Sequence, residues 1–394
     1  MKTVKILSPD VVPIPLIGEH KQILHSEPQG IRAWKLAECI SKEFDVTLFI
    51  PDVYFPKIEY VDFTKFNFKI KSFSLKAALW NWSKELDDNL KDADFVIVQS
   101  NSGIGLINCS VLPKTTNVIL DGFISAFSDQ SCKLSGSSRI YKEVYWNRFQ
   151  SQHYDVVQRS NCMLYAINRQ YYNYEGQFFS SKKLGWKAFQ FSPLLKVPYG
   201  IDREDPCKFN KSKRLRIVWF GLVYPYHDIE TIIANAHKFE NMEIDFVNIV
   251  DSRNKTIFND YFKRYIKDIR SNPIFKIKTF DGDKRNLYTN YDVGMVLAKD
   301  WLEEKYSVRC HALDMLSLGL PVLINKGNSL FKELDINQNA IYPISSETIV
   351  EDLNDIALLN ANSITVSSKT RDYIQKNYSW DVVTAPLIDY IKRF

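Results

Sequence analysis

The chain has 394 residues, which at roughly 150 per domain allows two or three domains and a core large enough to need no staples. Apolar residues make up 45% and charged residues 25%, with 14 glycines and 15 prolines scattered rather than clustered, so disordered, collagenous and low-complexity classes are excluded. The formal net charge of +5, from 51 basic and 46 acidic residues, is too small an excess to require a nucleic-acid partner and supports only a mild preference for anionic surfaces.

The six cysteines, Cys39, Cys109, Cys132, Cys162, Cys207 and Cys310, form no C-x-x-C pair, which argues against a zinc ribbon or a dense disulfide framework and for reduced thiols. No apolar run approaches the roughly 18–20 residues needed to cross a bilayer, and residues 2–7 are too soon followed by Pro9 and Pro13 for a secretory leader. A cytoplasmic protein is expected, and the Asn-x-Ser/Thr matches at Asn81, Asn108, Asn254 and Asn377 are then chance.

Short β-branched or aromatic runs alternate with stretches of helical period, the pattern of βαβ units and a parallel sheet. Residues 4–7 read as a strand, 31–41 as a helix, 46–50 as a strand, 66–70 as an alternating segment and 75–90 as a helix. Strands follow at 95–98 and 117–120. Their continuous apolar character suggests cover on both faces. Pro193, Pro198, Gly200 and Pro206 punctuate a stretch that reads as a linker. A second alternation then runs strand 216–220, helix 229–237, strand 244–249, helix 258–269, strand 275–280, strand 292–297, helix 312–318 and strand 322–324. The fold class is therefore α/β. Two doubly wound halves joined by one linker place ligands in a cleft facing the carboxyl ends of both sheets.

The most informative segment is EEKYSVRCHALDMLSLGLPVLINKGN, residues 303–328. It offers a carboxylate at Glu303, a hydroxyl at Ser307, a guanidinium at Arg309 and a second carboxylate at Asp314, then a helix ended by Gly319-Leu320-Pro321. A nucleotide-sugar donor needs such groups: cations, hydroxyls or a helix N-terminus for the diphosphate, and a carboxylate for the ribose hydroxyls. Asp314 lies one to two helical turns beyond Ser307 and Arg309, so one helix can grip phosphate at its start and ribose along its face.

At these residues the sequence resembles the GT-B glycosyltransferases, in particular family-4-like bacterial surface-polysaccharide transferases. Their donor motif is a carboxylate followed by S-x-R and then an acid seven residues before the proline of a G-x-P turn; here Asp314 stands seven before Pro321, after Ser307-Val308-Arg309. GIRAWKLAE (30–38) is similar to the family's first helix, and AINRQYYNYEGQF (166–178) to the end of its N-terminal domain. VPYGID (197–202) with WFGLVYPYHDIETII (219–233) is similar to the interdomain link and first donor-domain turn. The resemblance covers nearly the whole chain and implies two Rossmann-like domains facing a central cleft: an acceptor domain over 1–195, a linker over 196–212, a donor domain over 213–377 and a final helix over 378–394 that crosses back. It further implies transfer of a hexosyl or deoxyhexosyl group from a nucleotide diphosphate sugar to a glycan or lipid-linked glycan acceptor in surface-polysaccharide or glycoconjugate synthesis. No cofactor is needed beyond that donor, and no metal.

The family's Arg after the donor-turn glycine and its Lys five residues on are replaced by Leu222 and His227. Arg309, with His311 or Lys326, is then the expected phosphate partner, and His227 can still donate a hydrogen bond. Tyr306 stands where the first of the family's paired glutamates would be, leaving Glu303 as its substitute. The donor set is thus Gly221, His227, Ser307, Arg309, His311, Asp314, Gly327 and Asn328. Each has a plainer reading: Ser307, Arg309 and Asp314 as capping and ion pairing, Gly221 as a tight turn, Gly327-Asn328 as a turn.

Asp121 ends the strand at 117–120 and is a candidate base or acceptor clamp, or a cap; Glu19, in the first βα loop with His20 and His25, is a second candidate base. Inversion would use Asp121 or Glu19, retention Glu303 and a backbone carbonyl, and both remain open. Gly30, Arg32 and Arg169 are candidate acceptor contacts, with surface charge as the alternative for the arginines. Ser102-Gly103-Ile104-Gly105 is too weak a glycine pattern for a dinucleotide. Residues 65–84 mix lysines with Phe and Trp and fit either peripheral contact with an anionic membrane or a core-facing stripe through Leu75, Leu79, Trp82 and Leu86. Asp281-Gly282-Asp283 reads as a turn. Two other classes stay open: a catalytically silent GT-B-like binding protein, and a nucleotide-sugar epimerase of the same fold.

Overall fold

The structure, a computed structural model, describes residues 1–17, 27–74, 84–100, 112–127, 138–181, 194–205, 207–210, 212–248, 260–280, 283–334, 340–359 and 366–394. The chain forms two units. The first holds Met1–Gly200, Tyr306–Val308 and Trp380–Phe394; the second holds Ile201–Lys305 and Arg309–Ser379.

In the first unit the elements run β1 (Thr3–Leu7), α1 (Pro28–Ile40), β2 (Asp45–Pro51), β3 (Lys69–Phe73), α2 (Lys84–Leu90), β4 (Phe95–Gln99), β5 (Asn117–Asp121), α3 (Arg139–Arg159), β6 (Cys162–Tyr165), α4 (Asn168–Ser181) and β7 (Leu194–Lys196). The seven strands pair in parallel in the order β3-β2-β1-β4-β5-β6-β7. Alternate residues of each strand feed two separate cores. Val4, Ile6, Val46, Leu48, Phe95, Ile97 and Ile119 pack with α1, while Leu7, Phe49, Val96, Val98, Val118 and Leu120 pack with α2, α3 and α4. Burial on both faces is why these strands read as unbroken apolar runs.

In the second unit the elements run β8 (Leu215–Phe220), α5 (Ile229–Asn235), β9 (Met242–Asn248), α6 (Asp260–Lys263), α7 (Ile266–Ser271), β10 (Phe275–Thr279), α8 (Lys284–Tyr288), β11 (Val293–Val296), α9 (Leu302–Tyr306), α10 (Cys310–Leu318), β12 (Val322–Asn325), α11 (Ser329–Glu333), β13 (Ile341–Ile344), α12 (Ile349–Leu358) and α13 (Ser368–Tyr378). Its six parallel strands are ordered β10-β9-β8-β11-β12-β13. Helix α10 ends at Gly319 with φ +98°, where Gly319 N–H donates to Leu316 O and Leu320 N–H to Met315 O. This left-handed cap is the stop signal visible in the sequence.

The last helix, α14 (Trp380–Arg393), joins the first unit: Leu387 and Ile391 enter the α1-side core, Lys2 Nζ donates to Ile391 O at 2.8 Å, and Lys392 pairs with Glu43 at 2.6 Å. The helix expected over 378–394 is α14, starting at Trp380: Tyr378 ends α13, and Ser379 adopts extended backbone between the two.

Several expectations need correction. The stretch 196–212, expected as a linker, is closely packed at its described residues: Val197 lies in the first core, a Cβ on Gly200 would meet the Trp380 ring at 2.4 Å, Cys207 N–H donates to Leu318 O and Asn210 N–H to Thr289 O. Proline and glycine there accommodate close packing. The helix expected over 258–269 is two short ones, α6 and α7. Of that expected over 75–90, the described part is α2; residues 75–83, the core of the membrane-contact candidate, lie outside the described residues, as do residues 102–105 and 281–282. Strands β6, β7 and β13 and helix α3 carried too little periodicity to be read beforehand.

Gly30, proposed as an acceptor contact, is fixed by sterics: a Cβ there would lie 1.9 Å from Val11 O, so α1 can approach the loop after β1 only with glycine at this place. Gly30→Ala is expected to destabilise the chain by about 2 kcal/mol or more, read as a lowered urea midpoint with unchanged slope.

Candidate functional site

In each doubly wound sheet the strand order reverses once, and a crevice opens at the carboxyl ends of the two strands flanking the reversal. In the second unit these are β8 and β11. Gly221 follows β8 with φ +102°, donates its N–H to Val247 O at 3.0 Å and faces His311, whose Nε2 would lie 3.0 Å from a Cβ. The loop after Gly221 is laced to the exit of β11: Asp228 N–H donates to Leu297 O at 3.3 Å and Lys299 N–H to Tyr226 O at 2.8 Å. Asn325, at the end of β12, clamps Ala298 by accepting its N–H at 2.7 Å and donating to its carbonyl at 2.6 Å. Hydrogen bonding on both sides thus fixes the rim of the crevice.

The charges on this rim are arranged differently from the expectation. Arg309 is buried, with its guanidinium donating to Glu303 at 3.1 Å and to Glu304, and lying 5.8 Å from the Tyr226 ring centroid. Burial opposes its charge, but Glu303 and Glu304 outweigh that and hold the pKa above the ordinary guanidinium value. Glu304 also accepts from Asn328 Nδ2, and Asn328 Oδ1 caps α11 by accepting Leu330 N–H at 2.9 Å. Asn328 therefore acts as a buried cap, and its side chain is spent within the fold. Gly327, before it, has φ +86° and open space where a Cβ would be.

His227 Nδ1 accepts Tyr224 N–H at 3.0 Å. Burial first, then the nearby charges of Arg309, His311 and Lys299, hold its pKa well below the ordinary 6.5, so this ring is neutral. A neutral ring cannot supply the positive charge that Leu222 also lacks. Lys299 is paired with Glu230 at 2.9 Å, and Lys326 with Asp352 at 3.2 Å. Ser307 groups with the first unit, and its buried Oγ has no hydrogen-bond partner among the described residues.

Asp314 lies in a cavity of about 360 Å³ in the second unit, whose lining includes Asp202, Glu204, Phe280, Asp283, Lys284 and Arg285. Lys284 Nζ stands 2.6 Å from Asp314 Oδ2. Burial works against the Lys284 charge, but Asp314 outweighs it and raises the pKa. The sequence reading missed Lys284 and Glu304. The first follows the expected turn at 281–283 directly, and the second neighbours Glu303, but neither signal is specific without the fold.

In the first unit, Arg32 and Asp121 do not offer themselves to an acceptor. Both side chains are 0% exposed, and Arg32 Nε and Nη2 donate to the two Asp121 oxygens at 2.8 and 2.9 Å. The guanidinium also donates to Pro198 O at 2.8 Å and Val197 O at 3.0 Å. The candidate base and the candidate acceptor contact are thus the two halves of a buried bidentate pair, in which each guanidinium nitrogen has an acceptor. Arg169 is half-buried in the first turn of α4. Glu19, His20 and His25 lie outside the described residues. Among the described residues no group of three or more His, Cys, Asp or Glu could hold a metal, and no helix is long and apolar enough to cross a membrane.

No family model matches the sequence, and no curated protein does. Among solved structures, sucrose-phosphate synthase from Thermosynechococcus elongatus superposes with a TM-score of 0.70 at 11% identity, covering 100% of this chain and 99% of that one. HepE from Anabaena, solved in complex with UDP and glucose, gives 0.64 at 9% identity with 100% of each chain covered. WaaG, a glycosyltransferase involved in lipopolysaccharide biosynthesis, gives 0.61 at 13% identity, covering 98% and 99%. The fold is α/β of the two-domain GT-B type.

Two outcomes follow from these charges. Asp121→Asn should cost about 3 kcal/mol or more of stability, since it leaves a buried guanidinium half-paired; a variant that loses activity while keeping its denaturation midpoint would instead return Asp121 to catalysis. The depressed pKa of His227 means that the unfolded chain binds more protons below about pH 6.5. Stability should therefore fall as pH drops through that value, and His227→Asn, which keeps an acceptor for Tyr224, should flatten the midpoint-against-pH curve. His153, also depressed by burial, leaves a residual slope.

Proposed function

We propose that this chain is a glycosyltransferase that moves a hexosyl or deoxyhexosyl group, without a metal, from a nucleotide diphosphate sugar to a glycan or lipid-linked glycan acceptor in cell-surface polysaccharide or glycoconjugate synthesis. The observation that carries the reading is Asp314: a carboxylate on the face of α10, lining a cavity of about 360 Å³ in the same unit as the glycine-turned strand end at Gly221. A ribose offers two hydroxyl donors, and an ionised carboxylate accepts both. The likeness to HepE, solved with UDP and glucose, and to WaaG supports the same reading.

In this proposal the second unit holds the donor. Gly221 lets the diphosphate approach the backbone without a Cβ in the way, His311 beside it supplies a hydrogen bond, and Arg309 stands at the start of α10, whose free N–H groups favour the charge that develops on the leaving nucleotide. The first unit holds the acceptor, with Arg169 as its remaining named contact. With Asp121 committed to Arg32, the base for an inverting reaction narrows to Glu19, and the carboxylate for a retaining one to Glu303. The work would be done at the cytoplasmic side of the membrane that carries a lipid-linked acceptor; of the candidate contact at residues 65–84, Phe66, Phe68 and Phe73 are packed into the cores instead.

A second reading, a catalytically silent binding protein, is favoured by the neutral His227, by Leu222, and by two carboxylates balancing Arg309. Slow donor hydrolysis without acceptor separates the two, since only an enzyme shows it.

Thermal-shift and calorimetric titration with UDP, GDP, ADP and dTDP sugars should find one donor that binds. Asp314→Ala should weaken that binding by roughly ten- to a hundredfold. Unchanged affinity in the variant would remove Asp314 from the site.

A further inference from the structure

We propose that Lys284 is the cation that meets the donor's diphosphate, and that Asp314 holds it until ribose hydroxyls take its place. This rests on the donor reading above and adds to it a residue that neither the sequence motif nor the family resemblance marks.

The cations at the rim of the crevice are already spent within the fold. A diphosphate brings at least two negative charges into a partly buried site, and their desolvation requires positive partners. Arg309 is balanced by Glu303 and Glu304, Lys299 by Glu230, and Lys326 by Asp352. His227 is neutral, and position 222 is leucine. Each of these lysines and Arg309 is tied to a carboxylate that the donor has no reason to disturb. Lys284 is different because its partner is Asp314, the carboxylate assigned to the ribose.

Its position fits the role. Lys284 Nζ lies 2.6 Å from Asp314 Oδ2 and 6.0 Å from the centroid of Phe220, the last residue of β8. The Phe220 ring in turn meets His311, 5.1 Å between centroids, and His311 faces Gly221. The ammonium thus lies on the wall of the cavity that would take the nucleoside, next to the Phe220 ring that leads through His311 to the glycine turn. Its side chain is 36% exposed, so it can change rotamer without opening the core.

The exchange conserves charge pairing. In the unliganded protein, Asp314 and Lys284 neutralise each other. When ribose hydroxyls donate to Asp314, the ammonium loses part of its partner just as the diphosphate arrives, and it moves from carboxylate to phosphate. A nucleoside without phosphates must displace Lys284 with no compensating anion, so the pair also discriminates for phosphorylated ligands.

The test compares Lys284→Met, Lys284→Arg and, as a control on the cavity's other cation, Arg285→Met. Calorimetry would measure the binding of UDP and uridine, GDP and guanosine, ADP and adenosine, and dTDP and thymidine, using the pair whose diphosphate binds the unaltered protein. Lys284→Met should weaken the diphosphate roughly tenfold or more and leave the nucleoside unchanged or tighter, so that the ratio of the two affinities falls at least tenfold. Lys284→Arg should largely restore that ratio, and Arg285→Met should not alter it. Equal weakening of diphosphate and nucleoside would assign Lys284 a structural role and overturn the proposal, as would an unchanged ratio or one that falls only in Arg285→Met. If the unaltered protein binds none of the four diphosphates, the donor reading itself fails and takes this proposal with it.

Discussion

Parallel strands cannot be joined by tight turns, so each returns through a crossover that covers a sheet face. With both faces of each sheet buried, the strand ends are the places left for polar chemistry. The order of winding then selects one position: it reverses between β1 and β4 in the first unit and between β8 and β11 in the second, and the loops at such a reversal part to opposite sides. The candidate site follows from this constraint. Gly221, the laced loops at Tyr226 and Leu297, and His311 lie together because β8 and β11 are neighbours although more than 70 residues separate them in sequence.

A second constraint is the cost of taking charge out of water. Arg32 and Arg309 are both buried, and each is matched by carboxylates with hydrogen bonds in place. The two pairings serve different ends. Arg32 and Asp121 join α1 to β5 and to the carbonyls of Val197 and Pro198, which is a matter of architecture. The Arg309 cluster instead carries two carboxylates for one guanidinium, together with Asn328, and lies close enough to His227 to help keep that ring neutral. An arginine that the sequence offers as a phosphate partner is therefore not by its identity a free cation. Its effective charge depends on what the fold places beside it.

The local signals survived folding well. Unbroken apolar runs announced strands covered on both faces, and Gly319-Leu320-Pro321 announced the end of α10, because each depends on residues within a few positions of one another. Weak periodicity hid α3, where aromatic and charged residues share the exposed face, and β7, which is only three residues long. Proline and glycine in 196–212 suggested a linker, and its described residues are pinned by backbone hydrogen bonds to Leu318 and Thr289.

The sequence by itself determined the class of fold, the glycine positions where backbone must turn left-handed or pack closely, and Asp314 on the helix that follows Ser307 and Arg309. Tertiary structure alone decided which charges meet. Asp121 lies 89 residues from Arg32, Asp314 lies 30 from Lys284, and Asn328 lies 24 from Glu304. Helix periods and turn preferences act over a few residues, whereas an ion pair forms wherever chain closure brings opposite charges out of water together, and no spacing in the sequence encodes that meeting.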